Sequence, residues 1–193
     1  GISTVQDGQL LFGERDACEL ADTFSLEDIA RHHWQAGQYI DVLPLQSHIP
    51  AKINPNPKVR AFEFLAQKAG VGLPILGRSR ESLAAEAASL LSGFADAVLG
   101  QSYDAPIHDR LGYVWRLTPQ GRNHVRRALV LISDHELNAS TFSVRVAAST
   151  GASLAACMAA GLAALSGPLH GGATQDATDF LERAIAHTRT GRP

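Results

Sequence analysis

Cysteine is scarce in this 193-residue chain, which has only Cys18 and Cys157. The two lie far apart and form no CxxC pair, so neither a disulfide framework nor a structural zinc site is indicated. The first residues also lack the positively charged start and the apolar core of a secretion signal. We therefore expect the protein in a reducing cytoplasm.

An excess of charge of either sign is also missing. The formal net charge is -2, from 17 basic and 19 acidic residues spread along the chain. A protein that holds nucleic acid by neutralising phosphates carries a basic surface, so no nucleic-acid partner is predicted. The longest apolar run, residues 152–165, falls short of the about 20 residues that a membrane-spanning helix needs. It predicts a buried helix and no membrane partner.

Strand patterns are few, and helical spacing dominates. Ser25 with Asp28 is typical of a capping box that starts a helix ending near Gly37. Further boundary signals predict a helix after Pro57 that ends at Gly70, a long helix from Ser79 to Gly100, and a helix that starts at Thr118-Pro119. Residues 10–12 suggest a short strand and residues 38–45 an extended segment. The expected fold class is mostly α, a multi-helix bundle with little or no β near the N-terminus.

Small side chains nearly surround the helix expected over residues 152–165. They are Ala155, Ala156, Ala159, Ala160, Ala163 and Ala164. Small residues let neighbouring helix axes approach closely. We expect this helix at the centre of the bundle or in a subunit interface, and a homodimer fits the second position.

His135 stands on a short polar turn between two predicted helices. An imidazole on such a turn can face a cleft, and Asp134 and Glu136 beside it can orient the ring or raise its pKa. The alternative is a plain helix junction in which Asp134 and Asn138 serve as caps. The residues alone leave both interpretations open.

His170 lies in a second loop, Ser166-Gly167-Pro168-Leu169-His170-Gly171-Gly172-Ala173. Glycines let a backbone pass close to a ligand, and the proline fixes the direction of entry. Such a loop can present peptide N–H groups and an imidazole to a developing oxyanion. The alternative is a sharp turn that needs glycine only for its dihedral angles.

Other candidate site residues carry weaker patterns. His32 and His33 are consecutive on a helix, where side chains point apart, so a shared metal is not expected. The cluster of Arg122, Arg126 and Arg127 is more typical of a solvated helix face than of an anion site. No metal site is predicted anywhere in the chain.

Taken together, the two histidine loops resemble the citrate synthase family. The resemblance rests on Ser133-Asp134-His135-Glu136-Leu137-Asn138-Ala139-Ser140-Thr141, on the loop around His170, and on the alanine-rich helix and spacing between them. The segment from Thr23 to Trp34 is more weakly similar to an early helix of bacterial members. The resemblance implies that residues 1–193 form one large helical domain of the citrate synthase type, incomplete and without the smaller coenzyme A-binding domain.

The resemblance also implies a reaction and a site. Family members are transferases of the tricarboxylic acid cycle that condense acetyl-CoA, or sometimes propionyl-CoA, with oxaloacetate. By motif match, His135 and Asn138 hold oxaloacetate, while His170 with Gly171 and Gly172 binds the thioester carbonyl and stabilises its enol. The coenzyme A thioester is a substrate, and no bound cofactor is implied. The usual assembly is a dimer.

Two departures qualify this expectation. Thr174 stands where the family commonly has asparagine, and the family's further histidine, catalytic aspartate and substrate-binding arginines lie beyond the last residue. A general base contributes about 100- to 10,000-fold to a rate, so the isolated chain is expected to be inactive. A non-catalytic helical module that binds a ligand or partner chain is the alternative. The choices between acetyl and propionyl donors, and between synthase and lyase, stay open.

Overall fold

The computed structural model describes residues 2–36, 53–135 and 138–171. These ranges contain a three-stranded sheet and eight helices, as the mostly α prediction requires. The strands are β1 Ser3–Gln6, β2 Gln9–Phe12 and β3 Arg15–Asp16. The helices are α1 Ala17–Thr23, α2 Leu26–Trp34, α3 Pro57–Val71, α4 Arg80–Leu99, α5 Ile107–Val114, α6 Pro119–Leu131, α7 Ala139–Ser149 and α8 Leu154–Leu165.

The sheet is a small antiparallel meander in the order β1-β2-β3. Ser3 pairs with Phe12 across the first hairpin, whose turn residues Asp7 and Gly8 have positive φ angles of 51° and 80°. Sequence analysis predicted only the middle strand. In β1 only Ser3 is buried, so the strand has no alternating apolar pattern to recognise.

Side chains cap most of the predicted helices where expected. Ser25 and Asp28 form the reciprocal capping box of α2, and Ser79 and Thr118 cap α4 and α6. Gly100 ends α4 in the left-handed conformation, with φ 70°. α2 ends at Trp34, before the predicted Gly37, and α3 continues past Gly70 to Val71. The segment 38–45 lies outside the described residues.

The sequence patterns did not predict α1 and α5, and the contacts of α5 show the reason. This eight-residue helix has no side-chain cap of its own. The N–H of Ile107 instead donates to Glu27 Oε1 on α2, at 2.7 Å. Arg110 also pairs with Asp96 of α4 at 2.9 Å, and both side chains are almost completely buried. Distant residues therefore complete this helix, and no local pattern records them.

Two packed groups form the interior. The first gathers the sheet, α1, α2 and the end of α6 around a fully buried cluster of Phe12, Ala17, Leu20, Ala21, Ile29 and Val130. In the second, α8 packs against α7, α3 and α4, as expected of a helix at the centre of the bundle, but only Ala155, Cys157 and Gly161 of this helix are buried. A Cβ added at Gly161 would stand 2.5 Å from Val144 Cγ2, so glycine lets α7 and α8 approach closely.

α4, rather than the apolar run in α8, has the length and composition of a membrane-crossing helix. Its Asp96 is nevertheless held in the buried ion pair with Arg110, and the helix packs against α3, α5 and α8. These contacts are those of a helix inside a protein bundle.

Candidate functional site

The N-terminus of α7 is where the two histidine loops meet. Asn138 is the N-cap of this helix, and its Oδ1 accepts the backbone N–H of Thr141 at 2.9 Å. The same oxygen accepts the hydroxyl proton of Ser140 at 2.8 Å. Asn138 is thus the helix cap that the alternative interpretation foresaw, and only its Nδ2 group is left for other partners.

His170 is bonded to this cap through Ser140. Its Nε2 lies 3.0 Å from Ser140 Oγ. Because the Thr141 N–H identifies Asn138 Oδ1 as the acceptor, the single Ser140 hydroxyl proton is committed to that oxygen. Nε2 of His170 must then be the donor to Ser140 in this arrangement. Nδ1 is the other ring nitrogen, and in the neutral ring it carries the lone pair.

The loop around His170 uses its own N–H groups. The N–H of His170 donates to Gly167 O at 3.1 Å, and that of Gly171 donates to Leu165 O at 2.9 Å. These two N–H groups are therefore engaged within the loop, as in the alternative of a sharp turn. A Cβ at Gly171 would lie 2.4 Å from Leu165 O, so glycine serves a close approach to the end of α8. Gly172 lies outside the described residues.

His135 occupies the other loop and is exposed. The two residues before it are held from distant parts of the chain. Ser3 of β1 donates its hydroxyl to Asp134 Oδ2, and His33 Nε2 of α2 lies 3.0 Å from Ser133 Oγ. The buried Val130 fixes the end of α6 just before this loop. The position of His135 therefore depends on the sheet and on α2.

An apolar groove opens beside Ser140. It runs between α3, α4, α7 and α8, and its lining is Leu65, Phe94, Ser140, Thr141, Val144, Met158, Gly161, Leu162 and Leu165. Apolar surroundings reduce the local dielectric, which strengthens a hydrogen bond such as that between His170 and Ser140.

The remaining candidates have structural roles. His32 Nε2 lies 3.4 Å from Phe12 O, whereas His33 Nε2 lies 3.0 Å from Ser133 Oγ. The two Nε2 atoms therefore have different partners. No group of three metal-binding side chains occurs within residues 2–36, 53–135 and 138–171. Arg126 donates to Phe24 O and to Asp22 O, and Arg127 pairs with Asp22. Two of the three arginines thus connect α6 to the α1–α2 junction.

Ser140 and His33 are the site residues that sequence reasoning missed. Ser140 carried a usable signal, because it follows the cap residue Asn138 by two positions at a helix start. His33 carried no such signal, because its hydrogen-bond partner Ser133 is 100 residues away in the chain.

Three solved citrate synthase structures share this fold. Citrate synthase from Thermotoga maritima has a TM-score of 0.65 at 22% identity, and the match covers 94% of this chain and 56% of that one. Citrate synthase from Pyrobaculum aerophilum has a TM-score of 0.67 at 21% identity, with 94% and 56% covered. Citrate synthase from Thermoplasma acidophilum, a ternary complex with carboxymethyl coenzyme A and oxaloacetate, has a TM-score of 0.63 at 20% identity, with 89% and 54% covered.

This chain therefore spans little more than half the length of each of these proteins. At these identities the likeness establishes the fold alone. The family is established separately, because the model of the citrate synthase C-terminal domain matches residues 63–190, which is more than half of the chain. That match includes both histidine loops and the helices between them. The chain belongs to the citrate synthase family.

Proposed function

We propose that the whole protein condenses acetyl-CoA or propionyl-CoA with oxaloacetate, and that this chain supplies part of the active site. The observation that carries the proposal is the hydrogen-bonded series from His170 through Ser140 to Asn138, which connects the two histidine loops. The Asn138 end of the series caps α7, but capping does not require an imidazole at the other end, whereas a condensation needs groups that polarise two carbonyl groups near each other. The 193-residue chain alone is expected not to turn over.

His170 is proposed to act on the thioester. An enolate oxygen is stabilised by a hydrogen-bond donor, so Nδ1 must carry a proton when the enol forms. A neutral ring can provide it if the Ser140 hydroxyl turns from Asn138 Oδ1 to donate to Nε2. The 3.0 Å between Nε2 and Oγ permits either direction of donation. Ser140 is thus a positioning residue that sets which nitrogen of His170 holds the proton.

His135 and Asn138 are proposed to hold oxaloacetate. The imidazole of His135 is exposed and can reach a ligand, and Asn138 still has its Nδ2 donor. Both groups can donate to the ketone or carboxylate oxygens of the dicarboxylic acid. Gly171 and Gly172 are proposed, from the family motif alone, to lie on the thioester side.

Assembly and location extend the same proposal. We expect a homodimer. An apolar surface available for one includes Val71 at the end of α3 and Leu73 and Leu76 after it, which are 81%, 66% and 72% exposed. Light scattering measures the mass directly, and a monomer at all concentrations would contradict the dimer. A cytoplasmic location agrees with two free cysteines.

The test pairs binding with turnover. Isothermal titration calorimetry measures oxaloacetate binding, and release of free coenzyme A thiol measures turnover, both with the full-length gene product. We expect binding that His135→Ala abolishes and that His124→Ala leaves unchanged, since His124 is an exposed histidine on α6. Absence of both binding and turnover in the unmodified proteins would instead favour a non-catalytic helical module.

A further inference from the structure

The loop that carries His135 is attached to the protein on one side by a histidine. His33 Nε2 of α2 lies 3.0 Å from Ser133 Oγ, two residues before His135. The second attachment, from Ser3 to Asp134, comes from β1 and involves no histidine. Only the first attachment contains a group that changes charge near neutral pH.

The surroundings of His33 favour its neutral ring. The ring is half-buried, and it meets the fully buried Phe12 ring edge-on with centroids 5.0 Å apart. The titratable groups that face it are His32 on the same helix and Asp134 on the loop, whereas Phe12 of β2 carries no charge. Burial and the charge of His32 lower the pKa of His33 from its ordinary value of 6.5, and Asp134 opposes them.

We propose that His33 is a positioning residue for His135, and that protonation of its ring shifts the His135 loop and weakens oxaloacetate binding. The neutral ring can accept or donate at Nε2, whereas the charged ring can only donate. The charged ring would also stand beside Phe12 and His32, where burial penalises it. The folded arrangement is therefore disfavoured as the pH falls below the ordinary pKa of 6.5 toward the lowered one.

This inference rests on the proposed role of His135 in binding oxaloacetate, so its test includes a readout that needs no ligand. Nuclear magnetic resonance follows the Cε1–H signal of His135, assigned with His135→Ala, over roughly pH 5 to 8. Besides any change that arises in the His135 ring itself, we expect a second inflection in the unmodified chain that coincides with the titration of His33. The charge of His33 could also act through space, so Ser133→Ala, which keeps that charge, decides whether the hydrogen bond to Ser133 is responsible.

Matched variants identify the source of that inflection. His33→Gln keeps a hydrogen-bonding group near Ser133 but cannot titrate, so it should remove the second inflection. His32→Gln should retain it and move it to higher pH, since a neighbouring positive charge is lost. Ser133→Ala keeps the histidine and should remove the coupling, which provides a second route if His33→Gln fails to fold.

A measurement of oxaloacetate binding distinguishes this proposal from the proposed function. Oxaloacetate affinity of the full-length gene product should fall by about fivefold more than that of its His33→Gln variant between neutral pH and the acid end, the effect of one hydrogen bond. If neither full-length protein binds oxaloacetate but the second inflection is present, the proposed function fails and the positioning of the His135 loop stands. Absence of the second inflection from the unmodified chain would overturn the positioning role.

Discussion

The two histidine loops reach the start of α7 by different routes. The loop of His170 is held by bonds within residues 165–171, and its ring is bonded to Ser140 on the adjoining helix. The loop of His135 is held by His33 and Ser3, which are 100 and 131 residues away from the residues that they contact. One loop is a local structure, whereas the other depends on the assembled N-terminal region.

Because of this difference, substitutions that affect the proposed reaction can be distinguished from substitutions that affect the fold. A change in the local loop should alter the proposed reacting group, His170, and leave the packing intact. A change in the N-terminal region should move His135 without replacing it.

Replacing His170 should have the largest effect. His170→Ala removes the proposed enol-stabilising group, and we expect turnover of the full-length gene product to fall by about 100- to 10,000-fold. The melting temperature should change little, because the loop keeps its backbone bonds. Thiol release and calorimetry measure the two quantities, with His124→Ala as the control. Unchanged turnover would remove His170 from the reaction.

Breaking the buried ion pair should produce the largest loss of stability. Arg110→Met leaves the buried Asp96 without this cation, and we expect a cost of about 3–5 kcal/mol in the free energy of unfolding. α5 contacts both α2 and α4, so the loss should loosen the connection between the two regions. Urea unfolding measures the cost.

The double variant Asp96→Leu with Arg110→Met is the matched control for that measurement. Removing both charges should recover most of the loss, because no buried charge is left uncompensated. A double variant as unstable as Arg110→Met would mean that packing, rather than charge, explains the effect.

Removing the hydroxyl between the loops should have a smaller effect on catalysis. Ser140→Ala removes one hydrogen bond to His170, worth about 1 kcal/mol, and turnover should fall by about fivefold. The pH profile of kcat should also shift, because the variant no longer selects the proton position on the ring. Ser143→Ala, on the exposed side of the same helix, is the control. A pH profile identical to that of the unmodified protein would contradict the positioning role of Ser140.

The capping box of α2 should contribute least. Ser25→Ala removes a cap hydrogen bond and should cost about 1 kcal/mol of stability. Burial opposes the charge of Asp28, but hydrogen bonds from Ser25 and the bond and charge of Arg31 outweigh it and lower the pKa of this carboxyl below 3.8. Its contribution is therefore present above pH 3.8 and lost as the pH falls through the lowered pKa. Thermal unfolding at several acid pH values, compared with Asp28→Asn, measures it.

The sequence predicted the parts of the fold whose signals are local. Caps such as Ser25, Ser79 and Thr118 bond to N–H groups three residues away, so a short window contains both partners. It failed for α5, whose partners Glu27 and Asp96 lie on other helices, and for β1, in which only Ser3 is buried and no apolar alternation marks a strand. The bond from the Gly171 N–H to Leu165 O could not be predicted, because it depends on how the loop folds back over α8.

By itself, the sequence determined the family, the mostly α class and the two histidine loops, because these depend on residue types at fixed short spacings. Tertiary structure alone decided that Ser140 bonds to His170, that its proton belongs to Asn138, and that His33 and Ser3 hold the loop of His135. The physical reason is the range of the interactions. Helix caps act within one turn, whereas the bonds that place the His135 loop join residues that only the packing of distant helices and strands brings together.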